Sequence, residues 1–391
     1  MRSLIKYLLL ASILTTGKAL SQRTSLIEIS QSALAGQVLN IYSNFPDRGL
    51  YYGSSFSYRS LKSTPASEAF YRPKTGFCLS YGDLGNRQVL GYGIGLQYEM
   101  HWTQETNSGI YFTQTFRPGV TYNNRPFDVI DNPQNIVVGS HFSALMTLAL
   151  GAGYSFSDQL HIGAEASIWH SSNGHTALPN VGMNAFLGSL SLVYRFSNDD
   201  NLENHGQSDP ISSIKNSLSP IIGIGYGVNE GGTTTRPVNG GYYSKQLITL
   251  GVGYRIKNIH RISIALEGYY DEYYWLLNST QEWQPASNRA LGSTALMLMF
   301  GHEYIYNRLS LIINGGINLY NPTLGNQVGK IELATTGNTI KRYVPGRFAI
   351  RYYLRHPWKH ENNWYVQAGI KSNFGQADFL EFGAGWVISN R

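Results

Sequence analysis

The chain has 391 residues, of which 42% are hydrophobic, 13% aromatic and only 14% charged, with a formal net charge of +6. The apolar content excludes a disordered polymer. Past the N-terminus no apolar run reaches 18 residues, which excludes a helical membrane protein. The single cysteine, Cys78, excludes a disulfide framework within the chain and a cysteine-based zinc site.

Residues 1–21 read as a secretory signal peptide. Arg2 and Lys6 precede a short, largely apolar stretch, and the small residues Gly17, Ala19 and Ser21 follow. The remainder, 22–391, is then an exported chain. It reads as strands. Tyr92, Ile94, Leu96 and Tyr98 alternate with Gly91, Gly93, Gly95 and Gln97. Phe142, Ala144, Met146, Leu148, Leu150, Ala152, Tyr154 and Phe156 hold every even position of their segment. Leu160, Ile162, Ala164, Ala166 and Ile168 continue the pattern, as do Ile248, Leu250, Val252 and Tyr254, and Leu380, Phe382, Ala384 and Trp386. A period of two is a strand with one apolar face. The opposite face is rich in Gly, Ser and Thr rather than in charge. Strands of about 9–15 residues exceed the usual 5–6 of a soluble sheet. These features predict an all-β, transmembrane antiparallel β-barrel of about 14 strands, within a range of 12 to 16. Its place is the outer membrane of a Gram-negative cell.

Short turns are expected at 157–159, at 257–260 and around Asn307, and long loops at 229–241, 278–289 and 321–343. Placing short turns on the periplasmic side points 160–172 outward. The polar stretch 197–217 falls on the periplasmic side as a long inner turn or as a linker between two barrel units. Its acidic residues Asp199, Asp200 and Glu203 match no calcium-loop spacing and read as a solvated turn.

The residues suited to chemistry stand at the end of 160–172. The parity of Leu160 to Ile168 puts His170 and Ser172 on the lipid face, two residues apart and therefore neighbours. Polar groups facing acyl chains are costly without a purpose, and a histidine beside a serine can serve as base for a hydroxyl nucleophile. Glu165 has lumen parity and so does His161; they read as a lumen polar pair. Asp378 and Glu381 have opposite parity and read as part of a barrel-closing hydrogen-bond network, and His175 reads as a solvated loop residue. No nucleic-acid signature is present, and no metal or cofactor is called for.

The wider segment His170-x-Ser172-Asn173, with Pro179-Asn180-x-Gly182 and the closing strand Leu190 to Phe196, resembles the outer-membrane lipid A 3-O-deacylase (PagL-type) family. The resemblance is specific over 163–196. It extends loosely through Arg125-Pro-Phe-Asp128, Asn132-Pro-Gln-Asn135 and Gly375-Gln-Ala-Asp378, which look like the longer acyloxyacyl-hydrolase relatives. The resemblance implies a serine hydrolase that removes an ester-linked acyl chain from lipid A of lipopolysaccharide. Ser172 would be the nucleophile, His170 the base, and Asn173, Gly174 and Asn180 the region of the oxyanion donors. The family carries an acidic residue to orient the histidine; the matching position here is Asn184, a departure that bears on the rate. Implied partners are lipopolysaccharide and outer-membrane lipids, whose phosphates the net positive charge would attract. The competing reading is a passive barrel, either a pore or a degenerate relative.

Overall fold

In a computed structural model, residues 26–40, 44–62, 64–197, 216–236, 238–330 and 336–389 are described. The expected signal peptide and Asp199, Asp200 and Glu203 lie outside them. Sixteen strands are present: β1 (Leu26–Val38), β2 (Tyr51–Leu61), β3 (Lys74–Asp83), β4 (Tyr92–Glu105), β5 (Ile110–Asn123), β6 (Phe142–Ser155), β7 (Leu160–Ser172), β8 (Met183–Ser197), β9 (Ser217–Glu230), β10 (Tyr242–Ile256), β11 (His260–Asp271), β12 (Thr294–Tyr306), β13 (Leu309–Tyr320), β14 (Pro345–Tyr353), β15 (Asn363–Asn373) and β16 (Gln376–Val387). Each pairs antiparallel with the next, except that β8 returns to β1 and β16 to β9. The result is two closed barrels of eight strands among the described residues; sixteen strands fall within the expected 12 to 16, and two barrel units were one of the two arrangements left open at 197–217. Alternation reports which side chains face outward. It does not report which strand closes on which, because that is decided by hydrogen bonds between segments over a hundred residues apart. The polar stretch 197–217 runs from the end of β8 to the start of β9.

The outward walls are apolar, as the alternation requires: Leu148, Leu150 and Phe142 are 51%, 66% and 69% exposed. No helix among the described residues is long and apolar enough to cross a membrane. Aromatic pairs collect at the short-turn end of each wall. Tyr154 and Phe156 stand 5.3 Å apart, Tyr194 and Phe196 4.8 Å, and the stacked Trp364 and Trp386 5.2 Å. Such rings form the interfacial girdle of barrels that face lipid.

The lumen faces correct the sequence reading. They carry charge as well as small residues, and the charges are paired. In the first barrel Arg59 bridges Glu28 (2.9 Å) and Glu99 (2.7 Å), Lys74 reaches Glu28 (2.5 Å), and Arg117 spans Glu99 (3.0 Å) and Glu165 (3.2 Å). Glu165 therefore faces the lumen, as its parity predicts. His161 faces it too, but bonds Ser155 Oγ at 2.8 Å rather than Glu165. In the second barrel Arg347 joins Glu267 and Glu381, both at 2.6 Å, and Arg261 and Arg351 share Glu303. Cavities of about 20 Å³ in the first barrel and about 40 Å³ in the second lie among these groups, with room for one to a few waters each.

Asp378 also departs from its sequence parity. The register of β15 with β16 shifts between Lys371 and Ser372, which leaves Asp378 as the extra residue of a bulge and re-aims its side chain. Its carboxylate meets Lys371 Nζ at 2.9 Å inside the barrel, while Glu381 serves Arg347. The two acids hold separate cations.

The chain divides into two compact units. One comprises 1–172 with 181–209, and the other comprises Asn173–Asn180 with 210–391. Each is described by itself below.

Candidate active site

The first unit carries the histidine and serine. In β7 the exposed residues are Leu160, Ile162, Ala164, Ala166 and Ile168, so the even positions face outward. His170 and Ser172 share that parity. Strand geometry puts their Cα atoms roughly 6.7 Å apart on one face. In β8, Phe186, Leu190 and Leu192 are 54%, 71% and 56% exposed, which gives Asn184 the same outward parity. The register sets His170 directly opposite Asn184.

That register makes the central contact. His170 Nδ1 lies 2.8 Å from Asn184 Oδ1. An amide oxygen only accepts hydrogen bonds, so the imidazole proton sits on Nδ1 and the lone pair on Nε2. The ring is thereby held in the tautomer a general base needs. Ser172, 9% exposed, is the last residue of β7, across from Ala144 of β6. Gly182 closes over both groups. A Cβ built there would stand 3.6 Å from His170 Cε1 and 3.9 Å from Ser172 Cβ, and its φ of +77° is the left-handed region. Only glycine adopts that turn without strain. The sequence reading quoted Gly182 within its motif but gave it no role; a glycine at a strand–loop junction was the available signal.

The wall beneath the pair is rigid. The lumen-facing residues that interleave with it, Trp169, Met183 and Ala185, are at most 7% exposed and pack in one cluster with Val137, Val138 and Leu145. A site held on strands over a filled core keeps its geometry better than one on loops.

Asn173, Gly174 and Asn180 fall in the second unit. The Asn173 side chain is committed to its own loop: Nδ2 donates to the Ala177 carbonyl at 2.8 Å, and Oδ1 accepts from the His175 amide at 2.9 Å. The Asn173 amide donates to Asn180 Oδ1 at 3.4 Å. Gly174 has a φ of +68° and packs near Ile370 and Leu380. His175 is not the solvated residue its loop position predicted; it is 5% exposed. The loop is tied to β9 and the loop after it. Glu230 N donates to His175 O at 2.9 Å, Leu178 N to Glu230 Oε2 at 2.6 Å, and Asn180 N to Thr234 O at 2.8 Å.

The fold defines a protein of the membrane β-barrel class, and one outer wall bears an oriented imidazole near a hydroxyl. Residues 221–390, which span most of the second barrel, match the family model for the acyloxyacyl hydrolase C-terminal domain, PagL_C. The matched span includes Gly375-Gln-Ala-Asp378 but not the segment 163–196 that carries His170 and Ser172. No curated protein sequence matches the chain. Among solved structures, Neisserial surface protein A (NspA) is 10% identical with a TM-score of 0.30, covering 45% of this chain and 98% of that one. The N-terminal β-barrel domain of Pseudomonas aeruginosa OprF is 15% identical with a TM-score of 0.27, covering 44% and 98%. The β domain of the Bordetella autotransporter Brka is 11% identical with a TM-score of 0.24, covering 93% and 98%.

Proposed function

We propose that this chain is an outer-membrane serine hydrolase that removes an ester-linked acyl chain from lipid A of lipopolysaccharide. It is exported by the signal at 1–21 and works on the lipid-facing wall of its first barrel. The observation that carries this reading is the 2.8 Å contact of His170 Nδ1 with Asn184 Oδ1, which leaves Nε2 with the free lone pair on a residue that shares its strand face with Ser172. The family name supports hydrolase chemistry.

In this mechanism His170 Nε2 takes the proton of Ser172 as Oγ attacks the ester carbonyl. The tetrahedral oxyanion requires hydrogen-bond donors beside Ser172 Oγ. The C–O bond to the sugar breaks, and His170 returns its proton to the leaving hydroxyl. Water then attacks the acyl-serine with His170 again as base, releasing the fatty acid and restoring Ser172. The net charge of +6 favours an anionic leaflet surface.

The experiment is covalent labelling. A long-chain fluorophosphonate should modify the wild-type protein at the single residue Ser172, located by tandem mass spectrometry, and should leave Ser172→Ala unlabelled. Equal labelling of both proteins, or none of either, removes Ser172 as the nucleophile.

Asn184 sets the rate. An amide orients the imidazole but gives the imidazolium only a neutral partner. Hydrogen bonds to a charged acceptor contribute about 1–2 kcal/mol more than neutral ones, which corresponds to roughly 5–30-fold. Asn184→Asp is therefore expected to raise kcat by about that factor at neutral pH. Asn184→Leu, which frees the ring to adopt the wrong tautomer, is expected to abolish most of the activity. An unchanged kcat in Asn184→Asp would mean that imidazolium formation does not limit the reaction.

A further inference from the structure

The long-loop end of the second barrel holds a cavity of about 50 Å³ that hydrolysis at Ser172 does not use. Every residue around it belongs to the second unit. Its walls include His175 from the segment Asn173–Asn180, Asn229 of β9, Lys245 of β10, Tyr273 of the helix Glu272–Thr280, Gln327 of the helix Pro322–Lys330, and Asp378 of β16. That volume admits about four water-sized groups.

Two of its side chains lack the partner their burial demands. His175 Nδ1 and Asn229 Oδ1 have no hydrogen-bond partner among the described residues, and the two residues are 5% and 4% exposed. The other His175 nitrogen serves the Gly232 carbonyl, and burial holds the ring below the ordinary imidazole range. Nδ1 therefore carries a lone pair. Both unmet groups are acceptors. A buried acceptor left unmet costs more than a made hydrogen bond returns, so the cavity is shaped for a donor.

The cations there are already spent. Of the cations that line it, Lys245 pairs with Asp271 and Lys341 is also engaged, and Lys371 nearby pairs with the lining Asp378 at 2.9 Å. Hydrogen phosphate, the form present at neutral pH, has a P–OH to donate but brings net negative charge and several acceptor oxygens that the already paired Lys245 and Lys371 do not meet. A hydroxyl both donates and accepts. Amide, carboxylate and imidazole acceptors beside a tyrosine ring match the edge and face of a pyranose.

We propose that the mouth of the second barrel is a saccharide-binding site in which His175 Nδ1 and Asn229 Oδ1 accept hydrogen bonds from hydroxyls of one sugar ring. It takes either a free saccharide or the sugar headgroup of a lipid. Its lining includes none of His170, Ser172 and Asn184.

The test is a titration of the full chain, purified in a detergent without a sugar headgroup, using D-glucose, D-glucosamine and inorganic phosphate, read by saturation-transfer NMR. Sugar binding with a Kd in the low millimolar range is expected, with no displacement by phosphate. Asn229→Leu replaces an unmet acceptor by an apolar group of similar size, so the fold should hold while sugar affinity falls tenfold or more. Ser172→Ala should bind sugar as the wild type does, so loss of hydrolysis and loss of this site are separable. A glycolipid that binds tenfold more tightly than its free sugar marks a headgroup site, and equal affinities mark a soluble saccharide. Phosphate binding in place of sugar overturns the proposal. So does an absence of sugar binding up to about 50 mM, which would leave water as the partner of both acceptors.

Discussion

Purified and assayed on lipid A in mixed micelles, Ser172→Ala is expected to hydrolyse the ester about 10⁴-fold more slowly than the wild type, with KM little changed. The size follows from how such groups act together. Removing the nucleophile of a fully formed serine-hydrolase triad costs up to ~10⁶ in kcat. Here the wild type starts from a lower rate, because Asn184 orients His170 without stabilising its charge. His170→Ala should fall to the same residual rate, and the double variant should be no worse than either. That non-additivity is the signature of two groups working as one unit. Losses that multiply would mean the two residues contribute separately.

The second large effect is on stability. Glu303 is 4% exposed and receives Arg261 at 2.8 Å, Arg351 at 3.3 Å, Ser310 Oγ at 2.6 Å and the Tyr353 hydroxyl at 2.6 Å. Glu303→Leu leaves two guanidinium groups inside the second barrel with no carboxylate. Breaking a buried ion pair by removing one partner costs about 3–5 kcal/mol. Guanidinium unfolding from phospholipid vesicles should show the second barrel destabilised by that amount. Adding Arg261→Met and Arg351→Met to the same chain should recover most of the loss, since a whole buried cluster replaced by apolar groups is often close to neutral. A Glu303→Leu variant as stable as the wild type would mean that water fills the lumen and screens the cations.

These two expectations rest on features that were unequally legible in the sequence. The outward parity of His170, Ser172 and Asn184 was readable because alternation runs unbroken through β7 and β8, and parity is a local property. The pairing of His170 with Asn184 followed from a family resemblance at 163–196, and the register of the hairpin supplies its geometry. The lumen network was not readable. Glu99, Arg117 and Glu165 each stand as one charge among small residues in their own strand, and they meet only when the barrel closes. Asp378 escaped because a bulge changes parity without any mark in composition. His175 escaped because its burial depends on Glu230 and Asn229, more than fifty residues further along the chain. The division into two barrels was one of the two arrangements the sequence left open, for the same reason. The polar stretch 197–217 marked where a boundary could fall, but strand closure is settled by β1 meeting β8 and β9 meeting β16.

The family match and the candidate site lie in different barrels. The model of the acyloxyacyl hydrolase C-terminal domain covers 221–390, whereas His170, Ser172 and Asn184 stand in the first barrel. The measurement that bears most directly on the account is therefore mass spectrometry of lipid A extracted from cells making the wild-type chain, Ser172→Ala, or neither. The account predicts lipid A lighter by one ester-linked acyl chain with the wild type, and lipid A identical to that of the empty cells with Ser172→Ala. Unaltered lipid A in cells with wild-type protein folded in the outer membrane, or the same loss of a chain with both proteins, would contradict it.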